Sequence, residues 1–149
     1  MKGRSYMQAI IRYELVINEA LRSALMLDTP DEQINEFIRF FGKHIGCDRI
    51  YIFEDNNKEH VTDNTYEWCR QGIESEIDYL QGVDMDIIDW WYKAFDKKEN
   101  VIIRDVETIK NEHVYTYNTL KIQNVKRLVV CPIRYKNGLY KNSWGLDTL

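Results

Sequence analysis

Cysteine and proline are scarce in this chain of 149 residues, which contains three cysteines and two prolines. Three widely spaced cysteines are too few for a disulfide framework, and an odd number would leave one thiol unpaired. The cysteine content therefore predicts a reducing compartment, and we expect a cytoplasmic protein. Long apolar runs are also missing, since none approaches the roughly 20 residues that a membrane helix needs. The sequence predicts no membrane contact by this segment.

The chain also lacks an excess of positive charge. It has 20 basic and 24 acidic residues, for a net charge of −4, which argues against a basic nucleic-acid-binding face. Its glycines stand alone, so there is no phosphate-binding loop of the kind that nucleoside triphosphatases use. The histidines have no metal-ligand spacing, and we predict neither a metal nor a cofactor. They are His44, His60 and His113.

Candidate catalytic groups have simpler structural explanations. Cys69 and Cys131 lie in strand-like apolar or aromatic surroundings, which raise the pKa of a thiol and suppress its reactivity. Asp84, Asp86 and Asp89 fall at the start of a predicted helix, where acidic side chains favour the helix dipole. The sequence therefore predicts that this chain is not an enzyme.

Aromatic side chains are abundant, with ten Tyr, five Phe and four Trp. These rings are too many for one small core to hide completely, so we expect some to line a ligand cavity with their polar tips. The alternative is that they are ordinary core residues. The composition alone leaves both interpretations open.

The N-terminal region, about residues 5–27, has apolar residues at alternating steps of four and three. The pattern comprises Tyr6, Ile10, Tyr13, Ile17, Ala20, Ala24 and Leu27. A heptad pattern sustained in this way predicts a helix that pairs with another helix. We predict a homodimer through Ile10, Tyr13, Ile17, Ala20 and Ala24. Packing of the helix on its own domain is the alternative, and the two are compatible.

The remaining elements are predicted from local signals. Thr29 to Glu32 form a capping box that begins a helix, and Gly46 is a typical helix stop. Further helices are predicted at about residues 84–95 and from Val114 onward. Strand signals precede and follow residues 55–58 and recur around 101–103, and a final hairpin turns at Asn137-Gly138. This order predicts an α+β fold in which helices cover an antiparallel sheet.

Several of these segments together resemble a GAF domain. They are CDRIYIFEDN, NTYEWCRQG, VIIRDVE, LKIQNVKRLVVCPI and NGLYKNSWGLD. The resemblance covers residues 29–149 and leaves residues 1–28 as an N-terminal signalling and dimerisation helix. The TYEW wording is similar to that of sensors attached to bacterial diguanylate cyclases, cyclic-di-GMP phosphodiesterases and histidine kinases. A C-terminal helix and an output domain are then expected outside this chain.

The resemblance implies a GAF-like fold, with a helix bundle on one face of the central sheet and a roof of helices and loops over a pocket on the other. It implies a non-catalytic sensory module for signal transduction that binds an unidentified small molecule, dimerises, or does both. Strand alternation and the roof then predict the ligand-binding residues Tyr51, Phe53, Trp68, Trp91, Tyr117, Leu120, Val129 and Cys131. Successive side chains of a strand point to opposite faces of the sheet. Leu128 and Val130, which alternate with Val129 and Cys131, are therefore expected to face the helix bundle instead.

Two other functions stay open at this stage. One is a GAF-fold enzyme of the free methionine sulfoxide reductase type, which would use cysteines. The other is a ligand-free module that only dimerises. The chain has no counterpart of the residue set associated with cyclic-nucleotide-binding GAF domains, and no cysteine in the usual bilin-bearing helix.

Overall fold

Residues 2–149, the part of the chain described by this computed structural model, form four α-helices and six strands. The helices are α1 (Lys2–Ala24), α2 (Pro30–Ile45), α3 (Asp89–Asp96) and α4 (Val114–Ile122). The strands are β1 (Arg49–Asn56), β2 (Val61–Cys69), β3 (Val83–Asp84), β4 (Val101–Ile103), β5 (Arg127–Arg134) and β6 (Tyr140–Thr148). Short 3-10 helices occupy Ile77–Tyr79, Met85–Ile88 and Val106–Ile109. No helix in the described range is both long and apolar enough to cross a bilayer.

The six strands form one antiparallel sheet in the order β3-β2-β1-β6-β5-β4. The first long strand therefore lies beside the last one. Helix α2 lies on one face with α1 packed against it, and α3, α4 and the 3-10 helices lie over the other face. The predicted α+β fold, an antiparallel sheet with helices on both faces, is confirmed.

Helix α2 begins and ends where local sequence signals place it. The Thr29 side chain accepts a hydrogen bond from the Glu32 backbone N–H, and the Glu32 carboxylate accepts one from the Thr29 backbone N–H. At the other end Gly46 adopts a left-handed φ of 77°. Ile38 is buried against the sheet. At Gly42 the helix approaches so closely that a Cβ atom would overlap the Trp68 ring.

Helix α1 packs on α2 through its C-terminal half. Ala20 and Ala24 are 0% and 4% exposed, and Ser23 donates a hydrogen bond to Glu36 of α2. The prediction that these two alanines contribute to a dimer contact therefore needs correction. They are buried within a single chain, because small side chains allow α1 and α2 to lie close together. The N-terminal half of α1 extends past this contact.

The roof is the layer formed by α3, α4 and the 3-10 helices. Within it, residues 84–95 do not form the single helix that the sequence predicted. Val83 and Asp84 pair with β2 as the short strand β3, and a 3-10 helix follows before α3 begins at Asp89. The Asp84 carboxylate accepts a hydrogen bond from the Asp86 backbone N–H at 2.9 Å and caps the 3-10 helix. Acidic residues here were expected to begin one helix, but they begin a shorter 3-10 turn first. Phe95, 1% exposed, anchors the roof in the core.

The side chains of β5 point to the opposite faces of the sheet from those predicted. Leu128 and Val130 belong to the core beneath the roof. Val129 pairs with Leu146 and Cys131 pairs with Trp144, which places both side chains on the α2 face. The prediction that Val129 and Cys131 face the pocket is wrong. Residues 128–131 are all apolar. Their composition therefore does not indicate which alternate pair points to the roof and which to α2.

Candidate ligand-binding cavity

A cavity of about 140 Å³ lies between the sheet and the roof. Strands β1 and β2 form its floor, and the segment 79–91 and helix α4 form its walls. Its lining residues are Arg49, Tyr51, Phe53, Glu67, Tyr79, Leu80, Val83, Ile88, Trp91, Tyr115, Thr116, Thr119, Leu120 and Gln123. Aromatic rings line one part of the cavity and charged side chains border another.

The aromatic part is built on alternate residues of β1. Tyr51 and Phe53 point to the same face, and their rings meet edge to face at 5.7 Å between centroids. Burial raises the pKa of Tyr51 well above its usual range, so its hydroxyl stays protonated. Trp91 adds a third ring from α3, and its Nε1 is buried without a hydrogen-bond partner among residues 2–149. An indole N–H in this position requires an acceptor to offset its burial.

The charged part contains a buried ion pair between the first and the last long strand. Arg49 Nη2 lies 2.9 Å from Asp147 Oδ2, and each side chain is 1% exposed. Arg49 also donates to Gln123 Oε1 at 3.4 Å and lies 3.6 Å from Glu76 Oε1. Burial raises the pKa of Asp147 to about 6, although the hydrogen bonds and charge of Arg49 oppose this shift. The Arg49 donors are thus already engaged by protein acceptors.

Glu67 borders the cavity next to this pair. Its carboxylate accepts hydrogen bonds from the Ser75 hydroxyl at 2.6 Å, the Glu76 backbone N–H at 2.9 Å and Asn64 Nδ2 at 3.1 Å. Cys69 Sγ is a further donor at 3.3 Å. Within the described chain, all the hydrogen bonds that Glu67 accepts come from neutral groups. The Glu67 carboxylate therefore has no cationic group among its hydrogen-bond partners in this part of the chain.

Four of the eight residues predicted to bind a ligand lie together around this cavity. They are Tyr51, Phe53, Trp91 and Leu120. The first two come from alternation along β1, and the others come from the two roof helices. Their positions agree with the predicted geometry of a roofed pocket, and a ligand-binding role for them stays a prediction.

The other four predicted residues lie elsewhere. Val129 and Cys131 are on the α2 face, as described above. Trp68 is there too, because it pairs with Ile50 in the β1–β2 register and packs over α2. Tyr117 turns away from the cavity, and its hydroxyl donates to Glu107 Oε2 at 3.2 Å. Both Tyr117 and Leu120 pack against the core beneath the roof, as their spacing of three predicts, but only Leu120 lines the cavity.

The polar residues of the cavity were missed by sequence reasoning. Arg49 had a detectable signal, because it has the same parity along β1 as Tyr51 and Phe53. No sequence pattern places Glu67 at the cavity. It lies on the same side of the sheet as Tyr51 because the two residues are paired in the β1–β2 register. Gln123 lies one helical turn after Thr119. A helix of mostly polar and β-branched residues gave no clear apolar face to indicate it.

The three cysteines are unpaired. Burial raises the pKa of Cys47 and of Cys69 to about 12, and it also raises that of Cys131. A thiol with a raised pKa is protonated at neutral pH and is a poor nucleophile. Nothing in this geometry favours the cysteine-based enzyme that the sequence left open.

Two surface features lie outside the cavity. A larger open depression of about 510 Å³ lies near the turns, bordered by charged residues that include Asp55, Asp96 and Arg134. Beside it His60, Asp84 and Asp86 offer atoms within 4.8 Å of one another, and all three are exposed. His60 Nε2 lies 2.8 Å from Asp86 Oδ1, and this hydrogen bond raises the pKa of His60. Sequence spacing did not predict this group, because the histidine is 26 residues from Asp86.

Comparisons with known proteins establish the fold. No protein-family model matches the chain, and no curated protein matches it. Among solved structures, the phycoerythrobilin-bound GAF domain of a cyanobacterial phytochrome aligns with a TM-score of 0.71 at 15% identity, over 93% of this chain and 82% of that one. The GAF domain of a phosphoenolpyruvate-protein phosphotransferase from Coxiella burnetii aligns with a TM-score of 0.70 at 10% identity, over 93% and 79%.

A third similar structure is NreA from Staphylococcus aureus, mutated in its nitrate-binding site. It aligns with a TM-score of 0.60 at 15% identity, over 79% of this chain and 84% of that one. Similarity at this level of identity concerns the fold alone. The chain thus has the fold of GAF domains, and the GAF-like architecture expected from its sequence is confirmed.

Proposed function

We propose that this chain is a non-catalytic sensory module that binds a small molecule in the cavity beneath its roof. The module acts in the cytoplasm, dimerises through α1 and regulates an output domain of the kind found in bacterial diguanylate cyclases, cyclic-di-GMP phosphodiesterases or histidine kinases. The observation that carries the proposal is the cavity itself, because an unfilled space between sheet and roof with convergent aromatic and polar groups is typical of a ligand site.

Structures with the same fold support ligand binding but do not name the ligand. The cyanobacterial phytochrome domain was solved with phycoerythrobilin, and the Staphylococcus aureus protein has a nitrate-binding site. A tetrapyrrole and a small inorganic anion have nothing in common that could be transferred to this chain. Its ligand has to be inferred from its own residues.

Native mass spectrometry of the gently purified protein is expected to show a bound small molecule. The matched variants are Thr119→Phe, which extends a ring into the cavity, and Asn118→Phe, which adds the same ring at the neighbouring exposed position. We expect the adduct to disappear in the first variant and to persist in the second, because only the first occupies ligand space.

A ligand-free module would behave differently in the same experiment. The wild-type spectrum would contain the bare chain alone. Thr119→Phe would then raise the melting temperature, since filling an empty cavity restores dispersion contacts. That pair of results would reject the ligand-binding part of the proposal.

The dimerisation part is supported by the exposed half of α1. Ile10, Tyr13 and Ile17 are 39%, 51% and 39% exposed, and they continue the line of the buried Ala20 and Ala24 toward the N-terminus. The same line of residues thus holds α1 on α2 at one end and is open to a second copy at the other. Ligand binding would alter the pairing of these helices only as far as its affinity differs between the paired states.

Replacement of Ile10 by glutamate is expected to weaken the dimer at least about tenfold, since a charge would enter an apolar seam. The control is Leu15→Glu. Leu15 is 59% exposed, and it lies on the opposite side of α1 from Ile10. Sedimentation velocity across a concentration series measures both effects. A wild-type chain that is monomeric at high micromolar concentration, or equal effects of the two variants, would contradict dimerisation through this seam.

A further inference from the structure

The charges around the cavity do not cancel. Arg49 is the one cation that lines the cavity within the described residues, and Asp147 already balances it at 2.9 Å. Glu67 borders the same space, and Glu76 lies 3.6 Å from the guanidinium. Two carboxylates therefore lie against the one guanidinium, and a third borders the same cavity. The neighbouring Asp48 and Arg70 form their own ion pair and leave this excess unchanged.

Aromatic faces occur in the same cavity as this negative excess. Tyr51, Phe53 and Trp91 line its inner part, whereas the lining residues Tyr79 and Tyr115 are 82% and 49% exposed. Aromatic rings attract cations through the negative potential over their faces, and desolvation strengthens the attraction. Aromatic rings of this kind recognise organic ammonium groups, and a carboxylate beside them adds an acidic group to the site.

The size of the cavity limits the ligand. Its volume is about 140 Å³, whereas pockets for drug-sized ligands measure roughly 300–1,000 Å³. A dry cavity of about 150 Å³ holds a molecule the size of benzene. The ligand therefore has few non-hydrogen atoms, and a tetrapyrrole or a nucleotide is far too large for the cavity as it stands.

We propose that this cavity binds a small organic cation, an ammonium group with a hydrogen-bond acceptor a few bonds away. The aromatic rings surround the cation, Glu67 supplies the opposite charge, and the unpartnered Trp91 Nε1 donates to the acceptor. This assignment rests on the proposed function of the cavity as a ligand site. It adds the chemical class of the ligand.

The competing interpretation is a small anion held by Arg49. It is less favoured because the guanidinium already donates to Asp147 and Gln123, and it lies against Glu76. An anion entering this space would have to displace a protein acceptor and would also approach Glu67. The net charge of the surroundings opposes both steps.

Three probes separate charge from shape. Choline has the proposed cation and acceptor, 3,3-dimethyl-1-butanol is its neutral carbon analogue, and nitrate represents the anion. Isothermal titration calorimetry of the whole chain is expected to show choline binding at least about tenfold more tightly than its neutral analogue, since only choline gains the electrostatic attraction. Nitrate is expected not to bind.

Two variants assign the contacts. Glu67→Gln is expected to reduce choline affinity at least about tenfold while leaving the neutral analogue unchanged, whereas Glu59→Gln, in an exposed turn, changes neither. Trp91→Phe keeps a ring but removes the N–H. It should abolish the preference for choline over tetramethylammonium, which has no acceptor. This second variant keeps the inference testable if Glu67→Gln fails to fold.

The outcomes distinguish the two proposals. If the neutral analogue or nitrate binds as tightly as choline and Thr119→Phe blocks it, the cation assignment is wrong and the sensory function stands. The same conclusion follows if native mass spectrometry finds a neutral or anionic adduct. If no probe binds and no adduct is found, both proposals are wrong. Cation-selective binding that Glu67→Gln removes supports both.

Discussion

Replacing Arg49 by methionine is expected to lower the free energy of unfolding by roughly 3–5 kcal/mol at pH 8, the cost of leaving one member of a buried ion pair without its partner. Methionine has a similar length and removes the charge. Asp147 is 1% exposed, and the variant removes the guanidinium that offsets the burial of its carboxyl group. Urea denaturation at pH 8 measures the loss.

The same variant should recover part of its stability at pH 5. Burial already raises the pKa of Asp147 to about 6, against an ordinary value of 3.8, and loss of Arg49 removes the group that opposes this shift. A carboxyl whose folded-state pKa is raised stabilises the fold below its unfolded pKa, and this contribution is lost as the pH rises through its folded pKa. The deficit relative to wild type is therefore expected to grow as the pH rises above about 6, where the carboxyl of Asp147 ionises in the wild type.

A double variant provides the control for this interpretation. Arg49→Met combined with Asp147→Leu removes both charges, and it should be more stable at pH 8 than Arg49→Met alone. A deficit that is equal at pH 5 and pH 8, or a double variant that is less stable than the single one, would show that the ion pair does not carry the effect.

Replacing Phe95 by alanine is expected to cost roughly 3–5 kcal/mol, as is typical for removing a buried phenylalanine. Phe95 is 1% exposed, and its ring meets the rings of Tyr92 and Tyr140 edge to face at 5.9 and 5.5 Å. It thus fixes α3 against β6. Its backbone carbonyl also accepts a hydrogen bond from Arg134, which the substitution retains.

Phe95→Leu is the matched control for this prediction. Leucine fills most of the space, so its cost should be well below that of alanine, although it loses the two aromatic contacts. Both variants are compared with wild type by thermal unfolding monitored by circular dichroism. Equal and small losses for alanine and leucine would contradict a tightly packed position for Phe95 under the roof.

Local signals predicted most elements of the fold. The capping box at Thr29, the Asn137-Gly138 turn and the apolar run at 101–103 each depend on residues next to one another, and each marks a helix, turn or strand as observed. The start of α3 was placed too early, because Asp84 caps a 3-10 helix and pairs in β3 first. Sequence alone does not distinguish a 3-10 turn from the first turn of an α-helix.

The candidate site was only partly predictable. Alternation along β1 brings Tyr51 and Phe53 to one face, and extending it by one step would have included Arg49. The facing of Trp68 and Val129 depends on pairing register, which no single strand reveals. The partner of Arg49 is also invisible from sequence, since Asp147 lies 98 residues further along the chain.

The adjacency of β1 and β6 has a consequence for synthesis of the protein on the ribosome. Strand β1 is translated early, yet its neighbour on one side is complete only at Thr148. Until then β1 can pair with β2 alone, and its other edge and the charged side chain of Arg49 remain exposed. Because contacts between distant parts of a chain form late and slowly, the nascent chain has to keep this open edge from aggregating until residues up to Thr148 have emerged.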